Sequence, residues 1–242
     1  MLELKNVSFS VENEGAPKEI LHDLNLVLED RKLLVVTGPN GGGKSTLARI
    51  IAGIEKPTSG QILLDGEDIT QLTITERAQR GIAFAFQQPV RFKGITVHNL
   101  LRIASGKNLT VSTACSYLSE VGLCARDYIN REVNASLSGG ELKRIEIATV
   151  LARHSRLTVF DEPEAGIDLW SFQNLIRIFE SMRENIKESS MIIISHQERI
   201  LRIADEIVVL SGGRITRQGR PDEILPALIG KAAPVSVCER LQ

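Results

Sequence analysis

The chain has 242 residues, which is enough for one large α/β domain or two small ones with a sizeable core. Its 29 basic and 30 acidic residues leave a formal net charge of −1, so the composition gives no reason to expect nucleic acid as a partner. No signal peptide opens the sequence and no apolar run is long enough to span a bilayer, so we expect no direct membrane insertion.

The first part of the chain predicts a β-rich region, then a buried strand and a helix. Apolar and polar residues alternate at 2–11 and 20–28, as in half-buried antiparallel strands, and a turn is expected between them at 12–18. The continuous apolar run at 33–37 is typical of a strand covered on both faces, and a glycine-rich loop and a helix at 44–52 follow it.

The middle of the chain changes from strand to helix. A strand is expected at 61–64, a helix begins where Thr73 and Glu76 have the spacing of a capping box, and an apolar strand is expected at 82–86. From 89 to 153 the apolar residues recur mostly with helical spacing, ending in a helix at about 141–153. We interpret this stretch as a helical insertion.

The last part of the chain alternates strands with a helix. Strands are expected at 157–160, 191–194, 207–210 and 214–216, and a helix at about 169–186. Strands that alternate with helices predict an α/β fold whose sheet is mostly parallel and covered on both faces.

The cysteines indicate a reducing compartment. Cys115, Cys124 and Cys238 are odd in number and form no C-x-x-C pair, which disfavours a disulfide or metal framework. We therefore expect a cytoplasmic protein in which cysteines serve as packing residues, with the role of Cys238 left open.

The glycine-rich loop carries the strongest motif. Residues 38–45 fit the pattern G-x-x-x-x-G-K-[ST], with a strand before and a helix after. Glycine permits positive φ, so the backbone N–H groups of the loop can converge on a triphosphate, and the helix N-terminus adds its positive dipole. Lys44 is expected to reach the β- and γ-phosphates, and the Ser45 hydroxyl to bind Mg²⁺. The predicted ATP-binding residues are Gly38, Pro39, Asn40, Gly41, Gly42, Gly43, Lys44, Ser45 and Thr46.

Two acidic residues end the apolar strand at 157–160. Asp161 lies at the carboxyl end of a predicted parallel strand, where a carboxylate for Mg²⁺ is needed, and Glu162 is placed to polarise the attacking water. Such a pair often merely caps the next helix, but in the company of the phosphate loop we favour the catalytic interpretation.

The segment formed by Ser138, Gly139, Gly140 and Glu141 has two interpretations that hold together. Ser138 and Glu141 have the spacing of a capping box that opens the next helix. The two glycines expose bare N–H groups at a helix start, which makes a second anion site. Since one phosphate loop holds one triphosphate, a second anion site invites the nucleotide of another chain.

Nearly the whole chain resembles the ABC ATPase family. The loop at 38–45 matches the family's Walker A motif, residues 161–162 its Walker B motif and residues 138–141 its signature. The resemblance implies that Gln87 is the Q-loop glutamine and His196 the switch histidine, and Asp168 matches the aspartate of the D-loop. The residues it implies for catalysis are Glu162, His196 and Gln87. The residues it implies for Mg²⁺ are Ser45, Gln87 and Asp161.

The resemblance also implies an architecture and an assembly. It implies a P-loop NTPase (RecA-like) core with a mostly parallel sheet, an antiparallel β subdomain and a helical ABC-specific insertion. The chain would be a single domain over 1–242, with the helical subdomain at about 89–153 and an unassigned tail at 231–242. Two such cassettes pair head to tail, so that the signature of one closes on the ATP of the other, which implies a homodimer that forms on ATP.

Three positions depart from the common family pattern. Val11 occupies the place where many transport cassettes stack an aromatic side chain on adenine, and Phe9, two residues earlier, could substitute, although a core role fits it better. Glu164 and Ala165 stand where Thr-Ser or Asp-Ser is common.

A narrower resemblance favours one kind of cassette. Residues 76–94, 138–144 and 195–201 look like the SufC ATPases of the SUF iron–sulfur cluster assembly system, which implies a soluble SufB/SufD-like scaffold as the partner. The alternative is the ATP-binding subunit of an ABC transporter, coupled to a separate permease. In either case Phe92 lies where cassettes receive the partner's helix, as an exposed anchor or as ordinary packing. A DNA-associated cassette of the SMC kind is disfavoured, since no sustained heptads separate the Walker A and signature motifs.

Overall fold

The computed structural model describes residues 1–13, 16–106, 108–185 and 189–230, and its architecture is α/β as predicted. Its strands are β1 (Leu2–Asn13), β2 (Ala16–Leu28), β3 (Leu33–Thr37), β4 (Ser59–Leu64), β5 (Glu67–Asp68), β6 (Ile82–Ala85), β7 (Leu157–Asp161), β8 (Ser190–Ile194), β9 (Glu206–Ser211) and β10 (Arg214–Gly219). Its helices are α1 (Lys44–Ala52), α2 (Ile74–Gln79), α3 (Val97–Ser105), α4 (Val111–Glu120), α5 (Ala125–Tyr128), α6 (Gly139–Arg153), α7 (Leu169–Asn185), α8 (Glu198–Arg202) and α9 (Pro221–Ile229). The tail at 231–242, with Cys238, lies outside the described residues.

The main sheet has six strands in the order β10-β9-β3-β8-β7-β6, and every neighbouring pair except β9 with β10 is parallel. Leu33 and Val35 of β3 belong to one hydrophobic cluster, whereas Leu34 and Val36 belong to another on the opposite face. The sheet is therefore covered on both faces, which is why its central strands are continuous apolar runs. Because the strands are parallel, the carboxyl ends of β3, β6, β7 and β8 meet at one edge.

A second, antiparallel sheet has the order β2-β1-β4-β5. Leu2 and Leu4 of β1 are buried and alternate with more exposed polar residues, as the sequence pattern predicted. The turn predicted at 12–18 is wrong in its bounds, because β1 and β2 remain paired up to Asn13 opposite Ala16. The backbone hydrogen bonds between β1 and β2 continue past the residues whose side chains reach the core. The alternation of side chains therefore does not mark the ends of these strands.

Several short elements were not predicted. Strand β5 has two residues and helix α8 has five, which is too short for a hydrophobic period to show. Helix α9 contains Pro226, a residue that normally argues against a helix interior. Cys115 packs against the core, but Cys124 is exposed because it opens helix α5, so the packing role predicted for Cys124 is wrong.

The helices α3 to α6 form the predicted helical region, with α6 packed against α3 and α4. Buried residues lie all around α6 rather than on one stripe, as expected for a helix enclosed by its neighbours. This helix begins at Gly139, two residues before the predicted start, because Ser138 caps it. No helix in the described part of the chain combines the length and the apolar character needed to cross a membrane.

Candidate active site

The phosphate loop turns tightly between β3 and α1, against the end of β9. Gly38 has a φ of 137°, and a Cβ atom there would lie 1.9 Å from the carbonyl oxygen of Leu210. Gly43 has a φ of 96° directly before α1, and a Cβ atom there would lie 2.5 Å from the Leu21 side chain. The backbone path therefore requires glycine at both positions.

Lys44 is folded back over the loop. Its ammonium donates hydrogen bonds to the carbonyl oxygens of Gly38 (3.0 Å) and Pro39 (2.9 Å), and the residue is 5% exposed. Burial lowers the pKa of Lys44, while the nearby carboxylates of Glu162 and Asp161 favour the charged form. The loop thus places a buried cation where a polyphosphate needs one.

A cavity of about 460 Å³ opens at this edge of the sheet, within the size range of small-molecule sites. Its lining residues are Ile20, Asn40, Gly41, Gly43, Lys44, Ser45, Thr46, Gln87 and Glu162. The structure therefore brings most of the predicted nucleotide-binding residues together with two of the predicted catalytic residues. Ile20 was missed, because alternation places it on a strand but does not show that β2 lies beside the phosphate loop.

Ser45 and Asp161 form the part of the site that fits a magnesium ion. The Ser45 hydroxyl donates a 2.9 Å hydrogen bond to Oδ1 of Asp161, which ends β7 and is 3% exposed. Burial raises the pKa of Asp161, while the bond from Ser45 opposes the rise. A hydroxyl and a carboxylate oxygen beside a phosphate cradle are the kind of ligands that Mg²⁺ uses in such sites.

Two of the predicted catalytic residues, Gln87 and His196, approach the carboxylate of the third, Glu162. Nε2 of Gln87, which follows β6, donates a hydrogen bond of 2.5 Å to Oε2 of Glu162. Nε2 of His196, which follows β8, lies 3.7 Å from Oε1 of the same carboxylate. The N–H group of Glu162 donates to the carbonyl oxygen of Ile194 at 3.0 Å, which fixes the end of β7 against β8.

The backbone and charge of this cluster are unusual. Glu162 has a φ of 44°, in the left-handed region of backbone conformation. Residues other than glycine seldom occupy this region, and those that do are often found at functional sites. Burial lowers the pKa of His196 below its ordinary value of 6.5, Lys44 lowers it further and Glu162 opposes both. The imidazole is therefore neutral at pH 7, available for hydrogen bonding to water or phosphate.

The predicted signature segment lies at the start of α6 and contributes nothing to the cavity lining. The capping box is present: the Glu141 N–H donates to the Ser138 hydroxyl at 3.3 Å, and the Ser138 N–H donates to the Glu141 carboxylate at 2.6 Å. A Cβ atom at Gly139 or Gly140 would meet nothing within 4 Å. The packing of the chain itself therefore gives no reason for glycine at these two positions.

Asp168 lies at the start of α7. Its carboxylate accepts hydrogen bonds from the N–H group (3.0 Å) and the hydroxyl (2.6 Å) of Ser171. These bonds are those of a helix cap, and the D-loop role of Asp168 stays a prediction. Phe9 is buried in the core beside the antiparallel sheet, in line with the core role expected for it.

A buried ion pair on α6 holds the residue that precedes Gln87. Glu146 accepts a 3.0 Å hydrogen bond from the Phe86 N–H group, and Lys143 donates to the Phe86 carbonyl oxygen. Lys143 is 1% exposed and lies 2.9 Å from the Glu146 carboxylate. This role was not predicted, although Lys143 and Glu146 are opposite charges with the spacing of an ion pair on a predicted helix.

A phosphate loop between the buried parallel strand β3 and a helix, with Asp161 at the end of β7 two strands away in the same sheet, defines a P-loop NTPase. Residues 21–165 match the protein family described as ABC transporter. The chain belongs to this family as an ATP-binding cassette; it hydrolyses ATP, for which the family generally uses Mg²⁺.

Individual relatives agree with this assignment. An uncharacterized ABC transporter ATP-binding protein of Methanocaldococcus jannaschii, MJ0035, is 38% identical over 215 residues, which cover 86% of this chain and 85% of that protein. The sulfate/thiosulfate import ATP-binding protein CysA of a Synechocystis species is 33% identical over 229 residues, covering 91% of this chain and 63% of CysA. The ATP-binding cassette MJ0796, solved as a dimer bound to ADP and Pi, shares the fold with a TM-score of 0.82 at 24% identity, covering 91% of this chain and 99% of that one. The narrower SufC resemblance has no support from these relatives.

Proposed function

We propose that the chain is the ATP-hydrolysing subunit of an ABC transporter, a single ABC domain that works on the cytoplasmic side of a separate membrane permease. Gln87 and Glu162 line the cavity with Lys44, and His196 lies beside Glu162; this arrangement is the observation that carries the hydrolytic part of the proposal. The coupling to a permease rests on relatives described as ABC transporter and import ATP-binding proteins.

The residues suggest how hydrolysis proceeds. Lys44, now bonded to two loop carbonyls, exchanges these acceptors for the β- and γ-phosphate oxygens of ATP. Ser45, Asp161 and Gln87 would hold Mg²⁺, which neutralises charge on the phosphates when it is bound. Glu162 accepts a hydrogen bond from the attacking water and so orients it. Catalysis is then largely positioning and charge neutralisation.

The signature segment supports a homodimer around two ATP molecules. Gly139 and Gly140 face open space in the single chain, so their lack of side chains serves contact with something outside it. The bare N–H groups at the start of α6 suit a phosphate. We infer that Ser138, Gly139 and Gly140 of one copy close over the nucleotide bound by Lys44 of the other.

The proposed dimer can be tested with variants that separate ATP hydrolysis from dimer formation. Glu162→Gln should bind Mg-ATP, hydrolyse it at least about 100-fold more slowly, and accumulate as a dimer, since the neutral amide lacks the charge that polarises the attacking water. Light scattering after gel filtration measures the mass. The matched variant Glu162→Gln with Gly140→Asp should still bind ATP, because the added side chain meets nothing in the single chain. It should stay monomeric, because the carboxylate would lie against the nucleotide phosphates of the other copy. Wild-type turnover in Glu162→Gln, or dimers in the double variant, would contradict the proposal.

An apolar surface beside Gln87 is a candidate docking site for the permease. Three large apolar residues in the segment after β6 are exposed to solvent: Phe86 (39%), Val90 (44%) and Phe92 (36%). Replacing Phe92 with Glu should weaken capture of the permease in detergent while leaving ATP affinity unchanged. Retention of full capture would remove Phe92 from the docking site.

A soluble SufB/SufD-like scaffold is the second candidate partner, and it rests on the sequence resemblance at 76–94, 138–144 and 195–201 alone. Affinity purification of the tagged chain from its native cells, with and without detergent, discriminates the two. Co-purification of a polytopic membrane protein that needs detergent supports the transporter. A soluble scaffold that co-purifies without detergent supports cluster assembly and contradicts the transporter proposal.

A further inference from the structure

Glu164 is a buried acidic group that the mechanism above does not use. It lies two residues after Glu162 and replaces the small polar residue common in the family at this position. Burial raises the pKa of Glu164, and hydrogen bonds from Ser195 and from the N–H groups of Glu164 and His196 oppose the rise. Its Oε2 atom is buried and has no hydrogen-bond partner among the described residues. Burying a carboxyl group with an unpaired oxygen costs free energy, so its presence here calls for an explanation.

The other oxygen of Glu164 is bonded to the loop that bears His196. The Ser195 hydroxyl donates a 2.5 Å hydrogen bond to Oε1 of Glu164. The same hydroxyl accepts a 3.0 Å hydrogen bond from the N–H group of Gln197. These bonds involve the residues directly before and after His196, so the carboxyl group braces the backbone on both sides of that histidine.

The chemistry of Ser195 explains why an acceptor is required at position 164. A hydroxyl group can donate one hydrogen bond. Ser195 is 0% exposed, so water cannot accept that hydrogen bond. Since the Gln197 N–H group already donates to this oxygen, the hydroxyl proton needs a separate acceptor, and Oε1 of Glu164 supplies it. Without this acceptor the hydroxyl must turn elsewhere, and its bond to Gln197 is lost or displaced.

We propose that Glu164 is a positioning residue for ATP hydrolysis, which holds His196 in register with Glu162 through Ser195 and Gln197. Glu162 is already fixed to β8 by its bond to Ile194, so the tie through Glu164 fixes the second member of the pair. The separation of 3.7 Å between the two side chains then depends on the Glu164 carboxyl group. This inference rests on the catalytic role proposed for His196.

The test first measures kcat and KM for ATP in three single variants. Glu164→Ala should lower kcat about tenfold, because the switch loop loses its brace, and should change KM less than about twofold, since Glu164 does not line the cavity. Glu164→Gln keeps an acceptor oxygen and should retain kcat within about threefold. Ser195→Ala removes the same tie without touching the carboxyl group, and it should match Glu164→Ala.

A double-mutant cycle with His196→Ala shows whether Glu164 acts through the histidine. If it does, adding Glu164→Ala to His196→Ala should cause no further loss of kcat. Independent, multiplicative losses overturn the inference, as do wild-type kcat in both Glu164→Ala and Ser195→Ala or an equal loss in Glu164→Gln. Wild-type kcat in His196→Ala alone contradicts the role proposed for His196. A slow His196→Ala together with normal Glu164→Ala and Ser195→Ala contradicts only the positioning role of Glu164.

Discussion

Arg77 on α2 anchors the helix that begins with Lys44, and replacing it should destabilise the protein strongly. The residue is 0% exposed. Its guanidinium donates to the carbonyl oxygens of Ile50 (2.6 Å) and Ile51 (3.0 Å) in the last turn of α1. It also donates to the carbonyl oxygens of Thr70 (2.9 Å) and Leu72 (3.3 Å). A positive charge at this end of α1 also complements the helix dipole.

The size of the effect follows from two opposing terms. Hydrogen bonds to a charged group contribute roughly 1.5–3 kcal/mol each, so four of them contribute roughly 6 kcal/mol or more. Burial lowers the pKa of Arg77 from its ordinary value to about 10, which corresponds to about 3 kcal/mol of unfavourable desolvation. The difference predicts that Arg77→Met, which keeps the apolar stem, lowers the free energy of unfolding by about 3–5 kcal/mol.

Urea unfolding of the nucleotide-free protein measures this loss. With a slope of about 3 kcal/mol per molar urea, the midpoint of Arg77→Met should fall by about 1 M. Arg80→Met is the matched control on the same element, because Arg80 pairs with Glu67 on the surface and its loss should leave the midpoint almost unchanged. A midpoint for Arg77→Met within 0.3 M of the wild type, or an equal loss in Arg80→Met, would refute the reasoning (the threshold is roughly 1 kcal/mol).

Three further changes test the site and its supports. Gly38→Ala places a Cβ atom 1.9 Å from the Leu210 carbonyl oxygen, so Mg-ATP affinity measured by titration should fall at least about 100-fold; near-normal affinity would contradict the close approach of the loop to β9. Since burial lowers the pKa of His196 below 6.5, kcat/KM should stay level down to about pH 6.5 and fall only in more acidic solution, and His196→Ala should lose that acid limb; an unchanged limb in the variant would assign it to another group. Ser138→Ala and Thr73→Ala each remove a capping box and should each cost about 1 kcal/mol in unfolding free energy, but only Ser138→Ala should slow ATP turnover; equal turnover in the two would leave Ser138 as a helix cap alone.

Much of the fold could be predicted because burial imposes a spacing on the sequence. The central strands β3, β7 and β8 are covered on both faces and therefore appear as apolar runs of about the right length. The alternation of apolar and polar residues indicated the half-buried hairpin of β1 and β2 for the same reason. The ends of that hairpin and the two-residue strand β5 were missed, because backbone pairing determines them and leaves no periodic trace in the side chains.

The site was predictable in its members and less so in its connections. Gln87, Glu162 and His196 meet because the strands before them, β6, β7 and β8, are parallel neighbours in the sheet. The sequence contains the order of these strands along the chain, whereas their adjacency in space arises from packing. The bond between Glu164 and Ser195 depends on two side-chain rotamers across two loops, so no local pattern could indicate it.

The glycines of the phosphate loop and those of the signature segment are required for different reasons. At Gly38 and Gly43 the chain itself requires glycine, because a Cβ atom at Gly38 would collide with the Leu210 carbonyl oxygen and Gly43 has a φ of 96°. At Gly139 and Gly140 the same test finds open space, so a side chain would cost the single chain no contact. Glycine lowers helix stability by about 1 kcal/mol relative to alanine in a helix interior, so two in the first turn of α6 without an internal reason indicate an external one. A nucleotide bound by a second copy, as we propose, would supply that reason, which is why Gly140→Asp, tested beside Glu162→Gln, bears most directly on the proposed dimer.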